Sequence, residues 1–284
     1  MVTATLAPLE EIASRIVGSY AVSIRDVDSG KEPFVYSTGN RGPGYVMIKG
    51  LVGQRKVLKF LTGQLAIKVA PLFGEHFDFI EGNATGGMVP AWQLTDDVER
   101  VLGLEEGTIP YNYLRGSRKE GGHGELITGN GNNPLVRPGM KALVVEELVN
   151  YAGTTTNAAE EFRSAGYLVT HAACILSYDH PQSNDRLRER GVTLLSLMTL
   201  PTLLDVSEAQ GLLPKGGIDS YRAFLADPVG WQLGRNLVIP TDSAKKAMEK
   251  GWVMRELTSE EALARGAPAG KLKEGVVYWA PDGK

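Results

Sequence analysis

The stretch Lys141-Ala-Leu-Val-Val-Glu-Glu-Leu-Val-Asn-Tyr-Ala-Gly-Thr-Thr-Thr156 decides the fold. Its first half is an apolar run that ends in two adjacent acids, a pattern typical of a strand buried on both faces of a parallel sheet. Its second half is a turn of small and polar residues that leads into a helix predicted over 154–165, with Gly166 as the residue that ends it. The stretch therefore predicts one strand–turn–helix unit of an α/β domain.

Strand and helix patterns alternate on both sides of this stretch. Alternation at this spacing indicates successive βα units, so the fold class we predict is α/β, a doubly wound parallel sheet. In such a sheet the ligand lies beyond the carboxyl ends of the strands. The flanking elements are a helix predicted over 52–73 and strands predicted within 77–80, 109–114, 167–178 and 192–197.

The two ends of the chain depart from this alternation. Residues 20–49 are rich in Gly, Pro, Ser and Thr and hold only short β-type segments, which predicts a small N-terminal hood, mainly residues 1–50. After about Asp205 the pattern changes to three short helical segments and a terminal strand. We therefore predict a main domain over 1–205 and a C-terminal appendage over 206–284, whose role the sequence leaves open.

Composition excludes several classes of protein. The chain has 284 residues, 43% hydrophobic and 22% charged, which is a globular composition able to bury a core. Its 30 Lys and Arg against 33 Asp and Glu leave no overall cationic field for nucleic acid or anionic lipid. Cys174 is the single cysteine, so no intrachain disulfide forms. Without an apolar run of roughly 18 residues or a signal-peptide pattern, we expect a cytoplasmic protein with neither a membrane nor a nucleic-acid partner.

The turn after the predicted strand has the groups that bind a phosphorylated sugar. A helix N-terminus with free N–H groups and hydroxyl side chains holds a phosphate monoester, and carboxylates just before it accept hydrogen bonds from sugar hydroxyls. The Gly-Lys-Ser/Thr ending of an ATP-type phosphate loop is missing, which disfavours a triphosphate. The residues alone leave a second interpretation open, in which Glu146 and Glu147 form an ordinary solvated strand end beside a threonine-rich turn.

Four segments in order resemble those of the type I phosphoribosyltransferase family, in its orotate phosphoribosyltransferase branch. The stretch quoted above resembles the motif that binds phosphoribosyl pyrophosphate (PRPP). Ser37–Gly50 resembles the N-terminal Ser-Gly-x-x-Ser-Pro-x-Tyr segment, and Phe77–Ala91 resembles the pyrophosphate loop. Tyr113–Gly124 resembles the catalytic loop, and 185–204 the closing strand and helix. The resemblance covers roughly residues 9–205.

The resemblance implies an activity. It is the transfer of a phosphoribosyl group from PRPP to a pyrimidine base, with orotate as the expected base and pyrophosphate as the leaving group. Mg²⁺ is the implied cofactor, bound mainly through PRPP rather than directly by the protein. A homodimer is the implied working unit, because in this family the catalytic loop reaches the neighbouring subunit's site. The implied PRPP-binding residues are Glu146, Glu147, Asn150, Ala152, Gly153, Thr154, Thr155, Thr85, Gly86 and Gly87.

The segment that resembles the catalytic loop is rich in cations. Departure of pyrophosphate leaves concentrated negative charge, which positive groups must offset when the site closes. By resemblance, Lys119 is the main catalytic candidate, and Arg115, Arg118 and His123 support it. A loop of Lys, Arg and Gly is also typical of an ordinary solvated surface turn, and the residues alone favour that interpretation.

The resemblance assigns three residues to binding of the base. Two departures from the family pattern bear on which ligand the site binds. The family's phosphate loop has Thr-Thr-Gly-Gly where this chain has Asn150-Tyr-Ala-Gly153. His180 stands where the family has an arginine that contacts orotate. These departures keep two alternatives open, a regulatory module that binds PRPP or a nucleotide without turnover, and a phosphoribosyltransferase for another base. The base-binding candidates are Tyr45, Lys49 and His180.

Overall fold

The computed structural model describes residues 5–116, 126–129 and 134–282. Within these ranges the strands are β1 Val22–Ile24, β2 Phe34–Val35, β3 Arg41–Gly42, β4 Gly44–Val46, β5 Phe79–Asn83, β6 Tyr111–Leu114, β7 Ile127–Thr128, β8 Lys141–Val149, β9 Leu168–Ser177, β10 Thr193–Thr199, β11 Ile239–Pro240, β12 Met254–Glu256 and β13 Tyr278–Pro281. The helices are α1 Leu9–Gly18, α2 Arg55–Val69, α3 Met88–Leu102, α4 Gly153–Ser164, α5 Pro181–Glu189, α6 Leu200–Ala209, α7 Lys215–Ala226, α8 Pro228–Leu233, α9 Thr241–Glu249, α10 Ser259–Ala264 and α11 Ala269–Lys273, with 3-10 helices at Ile48–Gly53 and Ala70–Leu72.

The chain forms two compact units, each made of two segments. The first contains Met1–Ala21 and Met47–Gln210, and the second contains Val22–Val46 and Gly211–Lys284. Half of the residues predicted as the hood, 22–46, cluster with the C-terminal segment. The sequence-based division at residue 205 remains a prediction about which parts act as domains.

The first unit is built on a six-stranded sheet with the order β10-β9-β8-β5-β6-β7. All neighbouring strands are parallel except β6 and β7. The apolar strand β8 lies inside the sheet, between β5 and β9. Helices flank the sheet, and the structure confirms the predicted α/β fold class with a mostly parallel central sheet.

Alternate side chains of β8 pack against helices on opposite faces of the sheet. Ala142 and Val144 lie in one core cluster with Ala158 and Phe162 of α4. The intervening residues point to the other face, where α2 packs against β9 and β10 and α3 packs against β5 and β8. This double burial explains why the strand is an almost continuous apolar run.

Most predicted elements of the first unit match the observed ones within a few residues, and the largest difference is in the first long helix. The spacing of apolar residues predicts a helix over 52–73, whereas α2 covers Arg55–Val69 and a 3-10 helix follows it. The reason is Pro71, which has no N–H to donate to an α-helical hydrogen bond and therefore ends the regular helix.

The second unit joins the short strands of 22–46 to the C-terminal helices. The backbone N–H of Arg41 donates to Oε1 of Gln232 at 2.8 Å, and Oγ of Ser243 donates to Oδ1 of Asn40 at 2.7 Å. A three-stranded antiparallel sheet, β11-β13-β12, completes this unit. These bonds between distant segments explain why 22–46 cluster with the C-terminal part of the chain. Across the described ranges, no helix combines the length and apolarity needed to cross a membrane.

Candidate active site

The carboxyl ends of β5 and β8 meet at one edge of the sheet. Gly82 is the register partner of Val145, which brings the next residues, Asn83 and Glu146, side by side. Nδ2 of Asn83 donates to Oε1 of Glu146 at 2.7 Å and to the carbonyl oxygen of Thr154 at 3.3 Å. One amide therefore links the end of β5, the end of β8 and the first turn of α4.

Glu146 and Glu147, the two predicted ribose-binding acids, are strongly affected by burial. Burial raises the pKa of Glu146 to about 7, and the neighbouring Glu147 adds to the shift. Burial also raises the pKa of Glu147, while the charge of Lys49 lowers it. Lys49, predicted as a base-binding residue, is thus an electrostatic neighbour of the acid pair. Glu146 therefore changes charge nearer to neutral pH than an exposed glutamate does.

The predicted pyrophosphate turn lies against Glu147. A Cβ atom added to Gly86 would lie 2.0 Å from Oε1 of Glu147, and one added to Gly87 would lie 2.3 Å from the carbonyl oxygen of Val145. At Gly87 only glycine fits, because a side chain would overlap backbone atoms of β5 and β8, whereas a side chain at Gly86 would require the Glu147 carboxylate to move. Thr85 is exposed at the tip of the turn, and the peptide bond before it is cis. The structure brings this turn and the acid pair together.

The turn between β8 and α4 is shaped by Ala152 and Gly153. Ala152 adopts a left-handed conformation with φ of 56°, and its methyl group packs in the core rather than into the turn. A Cβ atom on Gly153 would lie 3.1 Å from Nη1 of Arg186, which donates to the carbonyl oxygen of Tyr151 at 3.1 Å. No side chain caps α4, so its first N–H groups are oriented to bind an anion.

The polar residues of this turn differ in exposure. Asn150 and Thr154 are exposed, whereas the Thr155 side chain is 1% exposed. Oγ1 of Thr155 has no hydrogen-bond partner in the described part of the chain. The Thr155 hydroxyl is therefore enclosed, whereas the exposed Thr154 side chain hydrogen-bonds Glu146 and lowers its pKa against the effect of burial.

His180 lies beside the same turn, through aromatic stacking. Its ring stacks on Tyr151 with a centroid separation of 4.8 Å and an interplanar angle of 10°, and on Tyr178 at 5.4 Å and 28°. Burial lowers the pKa of His180, with Asp179 acting in the opposite direction. The imidazole is therefore mainly neutral at neutral pH, unlike the arginine that the family has at this position.

The remaining predicted residues have other contacts or lie outside the described ranges. Tyr45 belongs to β4 in the second unit, where its ring contacts Phe34 at 5.6 Å. Arg115 follows β6, its backbone N–H donates to the carbonyl oxygen of Leu126 at 2.9 Å, and its buried Nε has no partner in the described ranges. Three predicted catalytic residues lie outside the described residues: Arg118, Lys119 and His123.

Sequence reasoning missed two polar residues of β5. The sequence pattern places Asn83 in the turn and gives it no separate role, whereas its side-chain amide donates a hydrogen bond to Glu146. Glu81 is fully buried on the same strand face, and neither of its carboxyl oxygens has a hydrogen-bond partner in the described part of the chain. The sequence signal that could have identified Glu81 is its position as an acid at the end of the predicted strand Phe77-Asp-Phe-Ile-Glu81. No group of three His, Cys, Asp or Glu side chains suited to a metal occurs among the residues described.

Sequence comparison adds a family relationship to this geometry. No protein-family model matches the chain. The orotate phosphoribosyltransferase of Listeria monocytogenes serotype 4b (strain F2365) is 27% identical over 222 residues, which are 78% of this chain and 97% of that protein. The chain is a homologue of the orotate phosphoribosyltransferases. This relationship confirms the resemblance that the four sequence motifs predict.

Solved structures share the fold of this orotate phosphoribosyltransferase homologue. The orotate phosphoribosyltransferase of Francisella tularensis superposes with a TM-score of 0.56 at 12% identity, covering 75% of this chain and 96% of that chain. Leishmania donovani UMP synthase gives a TM-score of 0.60 at 21% identity, covering 78% of this chain but only 42% of that longer chain. The central sheet is thus that of a type I phosphoribosyltransferase.

Proposed function

We propose that this protein transfers the phosphoribosyl group of PRPP to a ring nitrogen of orotate. The bond between the anomeric carbon and pyrophosphate breaks, a carbon–nitrogen bond forms, and the products are a nucleoside 5′-monophosphate and pyrophosphate. The observation that carries this proposal is the contact between the acid pair and the turn at Gly86, beside the uncapped start of α4.

The chemical groups of the cluster suit the three parts of PRPP. The first N–H groups of α4, where Thr154 lies, would be donors for the 5′-phosphate. Glu146 and Glu147 are acceptors for the ribose hydroxyls, since ionised carboxylates form strong hydrogen bonds to such donors. The turn that includes Gly86 lies against Glu147 and would meet the pyrophosphate.

The reaction needs positive charge at the leaving group. Mg²⁺, held mainly by pyrophosphate and ribose oxygens, would supply part of it when PRPP is bound. Lys119 would supply the rest, with Arg115, Arg118 and His123 nearby, because a cation placed where charge develops lowers the barrier. The acid pair would meanwhile stabilise the positive charge that develops on the ribose.

We further propose a cytoplasmic homodimer in which Lys119 serves the partner's site. The resemblance to the family supports this arrangement. Its test mixes two inactive variants, Lys119→Ala and Glu147→Gln, under conditions that exchange subunits. Recovery of activity in the mixture supports a shared site, and continued inactivity despite subunit exchange contradicts it.

A phosphoribosyltransferase for another base is the second candidate function. It is favoured by His180, whose mainly neutral ring stacks on Tyr151 and Tyr178 instead of presenting a cation to the carboxylate of orotate. A flat aromatic surface suits a base without a negative group. Replacement of His180 by arginine would then shift the preference toward orotate.

The deciding experiment measures pyrophosphate release from PRPP and Mg²⁺ with orotate and, in parallel, with uracil and the purine bases. Release that depends on orotate supports the main proposal, and release that depends on another base supports the second candidate. PRPP binding without release under any condition would support the regulatory module instead. Absence of PRPP binding would contradict both transferase functions and would leave only a regulatory module that binds a nucleotide.

A further inference from the structure

Glu81 is the most unusual buried group in the first unit. It lies on β5 between its register partners Val144 and Asn112, and its side chain is completely inaccessible to solvent. Neither carboxyl oxygen has a hydrogen-bond partner in the described residues. An ionised carboxylate in such a place is very costly unless a cation or several donors compensate it.

Among the residues that the structure describes, those around Glu81 provide no such compensation. Burial and the charge of Glu146 both raise the pKa of Glu81 well above its ordinary value, and neither cause is a cation. On the other neighbouring strand, Tyr111 has a pKa raised by burial and further by Glu81. The first turn of α4 contributes the uncharged Thr154 and Thr155 next to Asn83, whose amide already binds Glu146 and the Thr154 carbonyl oxygen.

The position of Glu81 connects it to the proposed ribose site. Glu81 and Asn83 point to the same face of β5, and Asn83 binds Oε1 of Glu146 at 2.7 Å. Glu81 therefore lies two residues before Asn83 on the same face of β5. It is farther from the carboxyl ends of the strands than Glu146, whose carboxyl would accept the ribose hydroxyls. A negative charge on Glu81 would oppose ionisation of Glu146 and the approach of an anionic substrate.

We propose that Glu81 remains protonated in the working protein and acts as a positioning residue that lets Glu146 carry the negative charge. This inference rests on the proposed function, since it assigns a role in the site for PRPP. Above the Glu146 pKa of about 7, the two carboxyls hold one proton between them, with the proton on Glu81 and the charge on Glu146. At higher pH Glu81 also ionises, and PRPP affinity falls.

The first test measures the proton directly by infrared spectroscopy of the protein without ligand. A buried carboxylic acid gives a C=O stretching band distinct from that of a carboxylate. We expect this band at mildly alkaline pH in the wild-type protein and in Glu106→Gln, a matched exchange at an exposed glutamate of the same unit. We expect Glu81→Gln to lack it. A wild-type spectrum without the band, or a Glu81→Gln spectrum that retains it, overturns the proposal.

The second test measures PRPP affinity as a function of pH by titration calorimetry. In the wild-type protein and in Glu106→Gln, affinity should fall on the alkaline side by up to about tenfold per pH unit, because one proton is lost. Glu81→Gln is neutral at every pH, so its affinity should stay level there. Parallel declines in wild type and Glu81→Gln contradict the proposal.

The two tests separate failure of this inference from failure of the proposed function. If PRPP does not bind to the wild-type protein at any pH, the proposed function is wrong and Glu81 has no role in it. The infrared measurement remains interpretable in that case, because it needs no ligand. If Glu81→Gln does not fold, the infrared band of the wild-type protein is followed as pH rises. We expect the carboxylic acid band to decrease in two steps, one near the Glu146 pKa of about 7 and one at higher pH, where Glu81 ionises.

Discussion

The two units of the chain are assembled in opposite ways. In the first unit, β8, its turn and α4 follow one another directly, so the acid pair and the helix start come from one continuous stretch. In the second unit, strands within 22–46 are completed by helices that begin only at Lys215. The acid pair and the helix start of the first unit are therefore local in sequence, whereas the stability of the second unit depends on close contacts between distant segments.

If the chemistry belongs to the first unit, the largest loss of activity should come from changes in Tyr113–Gly124, the stretch that resembles the catalytic loop. We expect Lys119→Ala to lower kcat roughly 100- to 1,000-fold, the effect of removing one group that stabilises charge in the transition state. Steady-state kinetics with PRPP and orotate measures it. Lys56→Ala, at an exposed position of α2, should keep the wild-type rate. An unchanged rate in Lys119→Ala would mean that the loop has been assigned wrongly.

A second prediction separates stability from binding within the first unit. The pKa of Glu146 is raised from 4.5 in the unfolded chain to about 7 in the folded protein. The protonated carboxyl therefore contributes fully to the free energy of unfolding below pH 4.5, and this contribution is lost as pH rises through about 7. Above that pH, Glu146→Gln should be more stable than wild type by on the order of 3 kcal/mol.

Binding should change in the other direction. PRPP affinity of the wild-type protein should rise as Glu146 ionises near pH 7, and Glu146→Gln should bind PRPP more weakly with no such rise. Chemical denaturation and calorimetry across this pH range measure the two effects. If Glu146→Gln is less stable than wild type above neutral pH, burial is not the dominant influence on this carboxyl. Glu106→Gln serves as the control.

The third prediction concerns the close contact at the pyrophosphate turn. A methyl group at Gly86 would overlap the Glu147 carboxylate at 2.0 Å, so that carboxylate must move. We expect Gly86→Ala to weaken PRPP binding about tenfold to a hundredfold, since overpacking costs about 1–3 kcal/mol. In Gly63→Ala, within α2, no atom lies within 4 Å of the new Cβ, and binding should be unaffected. Equal affinities of the two variants would argue against the site.

The smallest effect on activity should come from the second unit. A Cβ atom on Gly44 would lie 2.3 Å from the Tyr221 ring, and we expect Gly44→Ala to lower the free energy of unfolding by about 1–3 kcal/mol. Gly270→Ala, in α11 with open space around it, is the matched control. Thermal and denaturant unfolding measure the difference. A Gly44→Ala protein as stable as the control would show that the contacts between 22–46 and the C-terminal helices matter little.

The sequence predicted the elements of the first unit more closely than those of the second. The helix predicted over 154–165 is α4, Gly153–Ser164, and the strand predicted over 167–178 is β9, Leu168–Ser177. These elements have strong local patterns that end at glycine or polar residues. In the second unit, short strands such as β3 and β11 have two residues each, and a pattern of period two cannot be recognised over that length.

What the sequence determined by itself is the strand–turn–helix unit with its two acids, because burial on both faces of the sheet and the glycine after the helix leave local signatures. The family relationship was also visible there, in four motifs in order. Only the tertiary structure decided which groups surround Glu146, because the pairing of β5 with β8 joins residues more than sixty positions apart. The amide of Asn83 and the buried acid Glu81 owe their place to that pairing, and no local pattern carries it.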